Sequence, residues 1–466
     1  MKRRNILMSG AAAIAAPLAG KLNIARADSA PDPNRLKQDL TPLGAEKAAS
    51  QSGLVPAWTG GVTTPPAGWE PGMPPPDLFG DEQPLFTVTL ANMAQYADML
   101  PDGQIQMLKR YGNQGYKIVV YPSHRTAAAA QYVYDNTFQN VTRAQPVPEG
   151  ITKGFTGAVN GPPFPILSED PSIAGVQAMW NHLTRWSGEY TTEVNSLFVV
   201  GNGKRVLTNV AIQMVWYPYY DPNMTPDTYS GFYLKSYIQY IAPPNQQGGK
   251  FQVSYSSQPY RISDTSYQYL VGEGRVRQAP KAEYDTPNPH RDDLINYDET
   301  YNYLGAPDRY TWKLLGKKEM IVPYNQYKVV MAQPEEIHGD NFINPDLIRH
   351  EVHRCWVVEG RLAPGARMTD PFRRFYIDED TWCAVMSDLY DDQGNYWRWA
   401  YNILQVHPDL PGTTASGEVH IDLQQQQYTT GFTLFNGVGP MKSGYSFAPT
   451  SHTLYDHQSM VNSGGL

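Results

Sequence analysis

Tyr396-Trp397-Arg398-Trp399-Ala400-Tyr401-Asn402-Ile403 alternates its side chains in twos: Trp397, Trp399, Tyr401 and Ile403 share one side, opposite Tyr396, Arg398 and Asn402. A period of two is that of a β-strand, whose successive side chains point to opposite faces. The run Ile348–Leu362 reads the same way. Val352, Arg354, Trp356, Val358 and Leu362 fall on one face, and Glu351, His353, Glu359 and Arg361 on the other. Such alternation predicts antiparallel sheet with one face on a core and the other toward water.

Working outward, the same pattern recurs. Val194–Val200 and Arg205–Trp216 flank Gly201-Asn202-Gly203, a turn that tolerates positive φ, and so predict a hairpin. Strand-like runs follow at Phe232–Ile241, Phe251–Tyr260, Tyr267–Val276, Trp312–Val322, Phe372–Ile377, Trp382–Tyr390, Tyr396–Leu404 and Val419–Phe432, about eleven in all. Before Gly188 the character differs. Residues 28 to about 80 are rich in Pro and Gly, as in Pro74-Pro75-Pro76, which excludes helix and central strand. The aromatic residues Trp58, Trp69, Phe79 and Phe86 in and beside that stretch predict an arm laid over a folded body. Helical patterns follow at Leu90–Leu100, Asp102–Tyr111 and Ala127–Asn136. The clearest is Ser172–Trp186, with Ser172 as N-cap and Val176, Met179, Leu183 and Trp186 on one face. The division expected is 1–27 as a signal peptide, 28–188 as arm and short helices, and 189–466 as the β body.

The first residues carry the localisation. Lys2, Arg3 and Arg4 precede an Ala-rich apolar run from Ile6 to Leu18, and Ala25-Arg26-Ala27 fits a signal peptidase site. The paired arginines before Asn5-Ile6-Leu7 resemble a twin-arginine signal, with an ordinary secretory signal as the alternative. Cleavage near Ala27 would deliver a periplasmic protein. Residues 1–27 hold five basic side chains and no acid, so the remainder carries 32 basic against 45 acidic residues, a net charge of −13. That charge disfavours nucleic acid and anionic lipid surfaces as main partners. No later run approaches the ~20 apolar residues of a membrane-spanning helix. Cys355 and Cys383 fall on strands separated by a third, which predicts two unpaired buried thiols.

Motifs for catalysis are not found. There is no G-x-S-x-G and no H-E-x-x-H, and Gly201–Gly203 and Gly272–Gly274 read as hairpin turns. The acidic clusters Asp378-Glu379-Asp380, Asp391-Asp392 and Asp292-Asp293 read as turn ends. His353 and Cys355 share a strand face, but two ligands fall short of a metal site. We therefore expect no enzyme activity, no cofactor and no metal.

Longer strings carry a family resemblance. Asp39-Leu40-Thr41-Pro42-Leu43-Gly44-Ala45-Glu46, Pro56-Ala57-Trp58-Thr59-Gly60-Gly61, Val120-Tyr121-Pro122-Ser123-His124-Arg125, Tyr284-Asp285-Thr286-Pro287-Asn288-Pro289, Gly305-Ala306-Pro307-Asp308-Arg309-Tyr310 and Phe375-Tyr376-Ile377-Asp378-Glu379-Asp380-Thr381-Trp382 resemble the proteobacterial domain of unknown function 1329 family. That family is described as similar to outer-membrane lipoprotein-sorting carriers of the LolA/LolB type. The resemblance implies a mainly β (α+β) fold, a half-open antiparallel β-barrel of about eleven strands closed by helices, with an apolar cavity. It implies a periplasmic carrier of a lipid, a lipoprotein acyl chain or another hydrophobic molecule, with a resistance-nodulation-division-type exporter and an outer-membrane protein as partners. A non-enzymatic envelope scaffold is the alternative, and an envelope hydrolase is a third reading. On the carrier reading, Trp356, Val358, Trp397, Trp399 and Tyr401 are the expected cavity lining.

Overall fold

The computed structural model describes residues 30–279, 284–433 and 444–462, so the signal-type segment 1–27 lies outside the described residues. Among the described residues sixteen strands form one sheet. In chain order they are β1 (Phe86–Val88), β2 (Ile118–Val120), β3 (Tyr190–Gly201), β4 (Lys204–Trp216), β5 (Phe232–Ala242), β6 (Lys250–Ser256), β7 (Thr265–Leu270), β8 (Arg275–Gln278), β9 (Tyr310–Pro323), β10 (His350–Leu362), β11 (Phe372–Asp378), β12 (Ala384–Tyr390), β13 (Tyr396–His407), β14 (Gly412–Asp422), β15 (Gln427–Thr433) and β16 (Tyr445–Ser446). The main path runs β1-β2-β10-β11-β12-β13-β14-β15-β3-β4-β5-β6-β7-β8, with β9 on the second edge of β10 and β16 beside the start of β3.

The topology is two antiparallel meanders, β3 to β8 and β9 to β15. They are joined where β15 pairs with β3, from Gln427↔Gly201 to Thr433↔Asn195. Among the described residues β8 and β9 do not pair, so the sheet is not closed into a barrel. The expected open antiparallel sheet is present, with more strands than the eleven runs. The turn Val271–Gly274 splits Tyr267–Val276 into β7 and β8, with Gly274 left-handed at φ +62°. A turn with Gln426 at φ +57° splits Val419–Phe432 into parts of β14 and β15. In the β3–β4 hairpin Asn202 (φ +53°) and Gly203 (φ +70°) take the left-handed conformation that asparagine tolerates and glycine adopts freely for want of a Cβ.

The C-terminal meander is covered on both faces, which corrects the expectation of one wet face. One face packs Met320, Val322, Val357, Val385, Trp399 and Ile403 against Met107 and Leu108 of helix α1 (Asp102–Tyr111). The other packs Trp312, Val358, Phe375 and Ile377 against Val176, Met179, Trp180 and Leu183 of helix α3 (Pro171–Leu183). Between these in sequence lies α2 (Gln131–Arg143), a turn later than the Ala127–Asn136 pattern suggests. Asp170, not Ser172, caps α3: its carboxylate accepts from the Ser172 amide at 2.8 Å. Gly175 lets α3 lie on β9, since a Cβ there would stand 2.9 Å from the Lys313 backbone nitrogen. With both faces covered, Glu351, His353, Arg398 and Asn402 are buried and find partners inside the protein.

The N-terminal segment hydrogen-bonds to the rest of the protein. Trp58 Nε1 donates to the Ala127 carbonyl at 3.1 Å, and Trp382 Nε1 reaches back to the Leu43 carbonyl at 2.8 Å. Both cysteines are free and buried.

Candidate functional site

The N-terminal meander holds an internal space floored by its own strands. Asn195 and Leu197 on β3, Asn209, Ala211, Gln213 and Val215 on β4, Leu234, Ser236, Ile238 and Tyr240 on β5, and Phe251, Val253 and Tyr255 on β6 line a cavity of about 150 Å³. Every second residue of four adjacent strands contributes, so one sheet face is the floor. Register shifts at Leu197/Phe198, Val210/Ala211 and Phe232/Leu234 bend these strands and make that face concave. Besides Asn209, the polar side chains of the floor form one row across three strands. Asn195 Nδ2 donates to Gln213 Oε1 at 3.1 Å, and Gln213 Nε2 donates to Ser236 Oγ at 3.3 Å.

The roof is the segment from Tyr284 to Gly305, between β8 and β9, which contributes Asn288, His290, Arg291, Tyr297, Thr300, Tyr301 and Leu304. It is built of tight turns. Asn288 accepts from the His290 amide at 3.0 Å, and Glu299 accepts from the Asn296 amide at 2.9 Å. Asp292, Asp293, Tyr301 and Asn302 are left-handed, with φ from +52° to +71°. For a ring as large as Tyr301 that conformation is uncommon and persists only where surroundings enforce it. Here the Tyr301 amide donates to Glu418, and the Tyr301 carbonyl accepts from Asn402 at 3.2 Å. The neighbouring Asn302 donates to the Ala384 carbonyl at 2.7 Å.

The roof is latched to the seam of the two meanders. Arg291, 5% exposed, pairs with Glu418 of β14, which is 4% exposed. Glu418 lies opposite Gly431 of β15, and Gly431 opposite Leu197 of β3. The absence of a side chain at 431 makes room for the guanidinium, because a Cβ there would be 2.6 Å from Arg291 Nη2. Burial would raise the Glu418 carboxyl, but Arg291, His420 and the Tyr301 amide outweigh it and hold it down at about 2. Farther along, Arg398 binds Glu299 at 2.5 Å and Arg373 binds Asp298 at 2.9 Å, both pairs buried.

The five residues expected to line a ligand cavity lie elsewhere. Trp399 and Tyr401 are buried together in the core under α1, their rings 4.7 Å apart. Val358 is fully buried in the core under α3, with Trp356 half-buried beside it and stacked on Trp382 at 6.4 Å. Trp397 is half-buried, donating to Asp422 at 2.8 Å with the Arg398 guanidinium over its ring at 3.8 Å. The structure thus divides them among two cores and a surface position, and none borders the cavity beneath the roof. The alternation placed them on strand faces, but which face a covering helix would fill is a tertiary property.

The Asp378-Glu379-Asp380 turn does more than end a strand. His353, Asp378 and Asp380 each bring one atom within 4.8 Å of the others. Around them Arg125 meets Asp380, Lys317 and Arg354 meet Glu379, and Arg349 meets Glu351, while Asp378 lies 3.7 Å from His353 Nδ1. Arg354 also holds the arm: its Nη2 donates to the Glu46 carbonyl at 2.8 Å and to the Ala48 carbonyl at 3.0 Å. Burial and the nearby Asp380 push the Asp378 carboxyl up to about 6. Burial opposes a charged His353, but Glu351 and Asp378 raise it above the usual histidine range.

The family model described as "Protein of unknown function (DUF1329)" matches residues 87–460. The chain belongs to the DUF1329 family. An uncharacterised protein of Pseudomonas aeruginosa is 36% identical over 418 residues, covering 86% of this chain and 87% of that one. Among solved structures, a DUF1329 family protein from Desulfovibrio piger matches at TM-score 0.42 and 13% identity, over 62% of this chain and 99% of its own. A putative outer membrane lipoprotein-sorting protein domain from Vibrio parahaemolyticus matches at TM-score 0.42 and 10% identity, over 62% and 98%. A LolA superfamily protein from Nitrosomonas europaea matches at 0.32 and 7%, over 58% and 92%. Similarity at this level says nothing of what any of these proteins does. The roof of the cavity and the arm-binding hub both fall within the matched residues.

Proposed function

We propose that this DUF1329 protein is a non-enzymatic carrier or accessory protein that holds a hydrophobic molecule beneath the 284–305 roof, in the periplasm. The observation that supports the reading is the concave, largely apolar face of β3 to β6, which is kept from collapse by a roof fixed through buried ion pairs. Large apolar clefts with a few convergent polar groups are the usual form of small-molecule sites. At about 150 Å³ the cavity takes a group of benzene's size in its closed form. Each methylene buried there contributes ~0.8 kcal/mol before ordering costs. Loading a larger molecule therefore requires the space to extend. Delivery to a resistance-nodulation-division-type exporter and an outer-membrane protein belongs to the same proposal, because a carrier needs a donor and an acceptor in the envelope.

A cavity-filling substitution tests it. Ala211→Phe puts a ring into the cavity from a floor position, whereas Trp397→Phe alters a half-buried position outside it. With a fluorescent long-chain fatty acid as probe, saturable binding by the natural protein is expected to be lost in the first variant and kept in the second. Equal binding by both, in folded protein, would contradict the assignment of the site, and the absence of any binding would contradict the carrier reading.

A further inference from the structure

The cavity has a neighbour. A second space of about 540 Å³ lies over β5 to β7 and the first half of the roof, bordered among others by Asn245, Gln246, Lys250, Gln268 and Thr286. Four residues border both spaces: Tyr240, Phe251, His290 and Tyr297. They form two ring pairs, each joining the sheet to the roof. Tyr240 on β5 faces His290 with centroids 4.6 Å apart, and Phe251 on β6 faces Tyr297 at 6.2 Å and 15° between planes. All four are half-buried, as rings between two hollows should be.

Resting on the carrier reading, we propose that the two spaces are one tunnel for a single-chain amphiphile, gated by these ring pairs, with the hydrocarbon end threading inward past them. Three observations point this way. The inner space alone is below the usual 300–1,000 Å³ of ligand pockets, and the outer space that adjoins it, at about 540 Å³, lies within that range, so a ligand that enters the inner space must also occupy the outer one. Hydrogen-bonding groups stand at the outer border, where Asn245, Gln246, Gln268 and Thr286 lie, whereas the inner floor sets Leu, Ile, Val, Ala and aromatic rings around Asn209 and the Asn195–Gln213–Ser236 row. The alternative opening, lifting the roof, would break the buried Arg291–Glu418, Arg398–Glu299 and Arg373–Asp298 pairs together. Rotating Tyr297 and His290 breaks none of them. A narrow gate selects one unbranched chain with a hydrogen-bonding head and excludes two-chain lipids, whose second tail has no parallel path.

The test is kinetic, using a fluorescent C16 fatty acid and, as comparison, a fluorescent two-chain phosphatidylethanolamine in detergent-free vesicles. Tyr297→Ala and His290→Ala remove the roof side of each ring pair. Arg291→Met loosens the roof and leaves the rings. The tunnel requires the association rate for the single-chain probe to rise tenfold or more in the ring variants, with a much smaller change in Arg291→Met. It requires weak or no uptake of the two-chain lipid by the natural protein. Faster uptake in Arg291→Met with no change in the ring variants would overturn the tunnel and leave the carrier standing with a lifting roof. Preferential uptake of the two-chain lipid would overturn the ligand class. If no variant binds any probe while all fold, the carrier reading itself fails. Far-ultraviolet circular dichroism and thermal melting of each variant separate that outcome from misfolding.

Discussion

Replacing Arg291 by Met removes one half of a buried ion pair and leaves the other charged. Glu418 is 4% exposed, keeps the Tyr301 amide and His420 at 3.2 Å, and loses its permanent cation. Breaking a buried pair from one side destabilises by about 3–5 kcal/mol, because the remaining charge is uncompensated. For a chain this long the unfolding entropy is roughly 1 kcal/mol/K, at ~2.1 cal/mol/K per residue, so a global loss of that size lowers Tm by about 3–5 °C. The pair ties the roof to the seam of the two meanders, so the loss should fall first on the roof, and amide hydrogen exchange is the sharper assay. Protection over residues 286–304 is expected to fall by about a hundred- to a few thousand-fold, with the α1 and α3 cores unchanged. The double variant Arg291→Met/Glu418→Met removes both charges and should recover most of the loss, since apolar replacement of a whole pair is often neutral or better. Unchanged exchange in the roof of Arg291→Met, or a double variant no better than the single, would refute the latch.

Other expectations follow from the same geometry. Gly431→Ala brings a Cβ 2.6 Å from Arg291 Nη2 and 2.9 Å from Leu197 Cδ2, so it should displace the latch and cost about 1–3 kcal/mol, read as a lower Tm and faster roof exchange. The Glu418 carboxyl is depressed to about 2, so its stabilising contribution is present above the ordinary carboxylate range and is lost as pH falls toward 2; roof exchange should accelerate over that interval and not between pH 5 and 8. Asp378 has the opposite sign. Its carboxyl, raised to about 6, favours the protonated folded state, so the stability it contributes is present in acid and declines as pH rises through 6. Asp378→Asn removes the cost of the buried charge, so it should raise Tm more at pH 8 than at pH 5; an equal change at both values would contradict this. Trp399→Ala empties a fully buried position in the α1 core, so a loss of about 3–5 kcal/mol with retained probe binding is expected, and abolished binding in folded protein would return the aromatic stripe to the site.

Much of the body was legible because strands announce themselves by alternation. The β3–β4 hairpin, β9, β11 and β13 begin within a few residues of their sequence patterns, and Asp102–Tyr111 is the helix its pattern describes. The start of β14 was hidden because Thr413-Thr414-Ala415-Ser416 is polar and small yet entirely buried, satisfied by partners such as Ser187 and Thr126. The cavity was harder to see. Its floor residues carry the period-two signal in Ala211, Gln213 and Val215, but a polar row and half-exposed rings read as the wet face of a sheet. The roof has no periodicity at all, being turns and left-handed residues, although the strings Tyr284–Pro289 and Gly305–Tyr310 that border it are among those that carry the family resemblance. The large Trp and Tyr stripe drew attention because size is visible in sequence, whereas concavity comes from bulges and from what covers the sheet.

The central claim is that this protein carries a hydrophobic molecule beneath its roof, and the direct measurement is native mass spectrometry of residues 28–466. The protein is purified from its own cells without detergent and its bound material is identified by organic extraction. The account expects a stoichiometric single-chain hydrophobic molecule that is lost in Ala211→Phe. Folded protein with a bare mass, under conditions that keep added fatty acid bound to a known carrier, would contradict it.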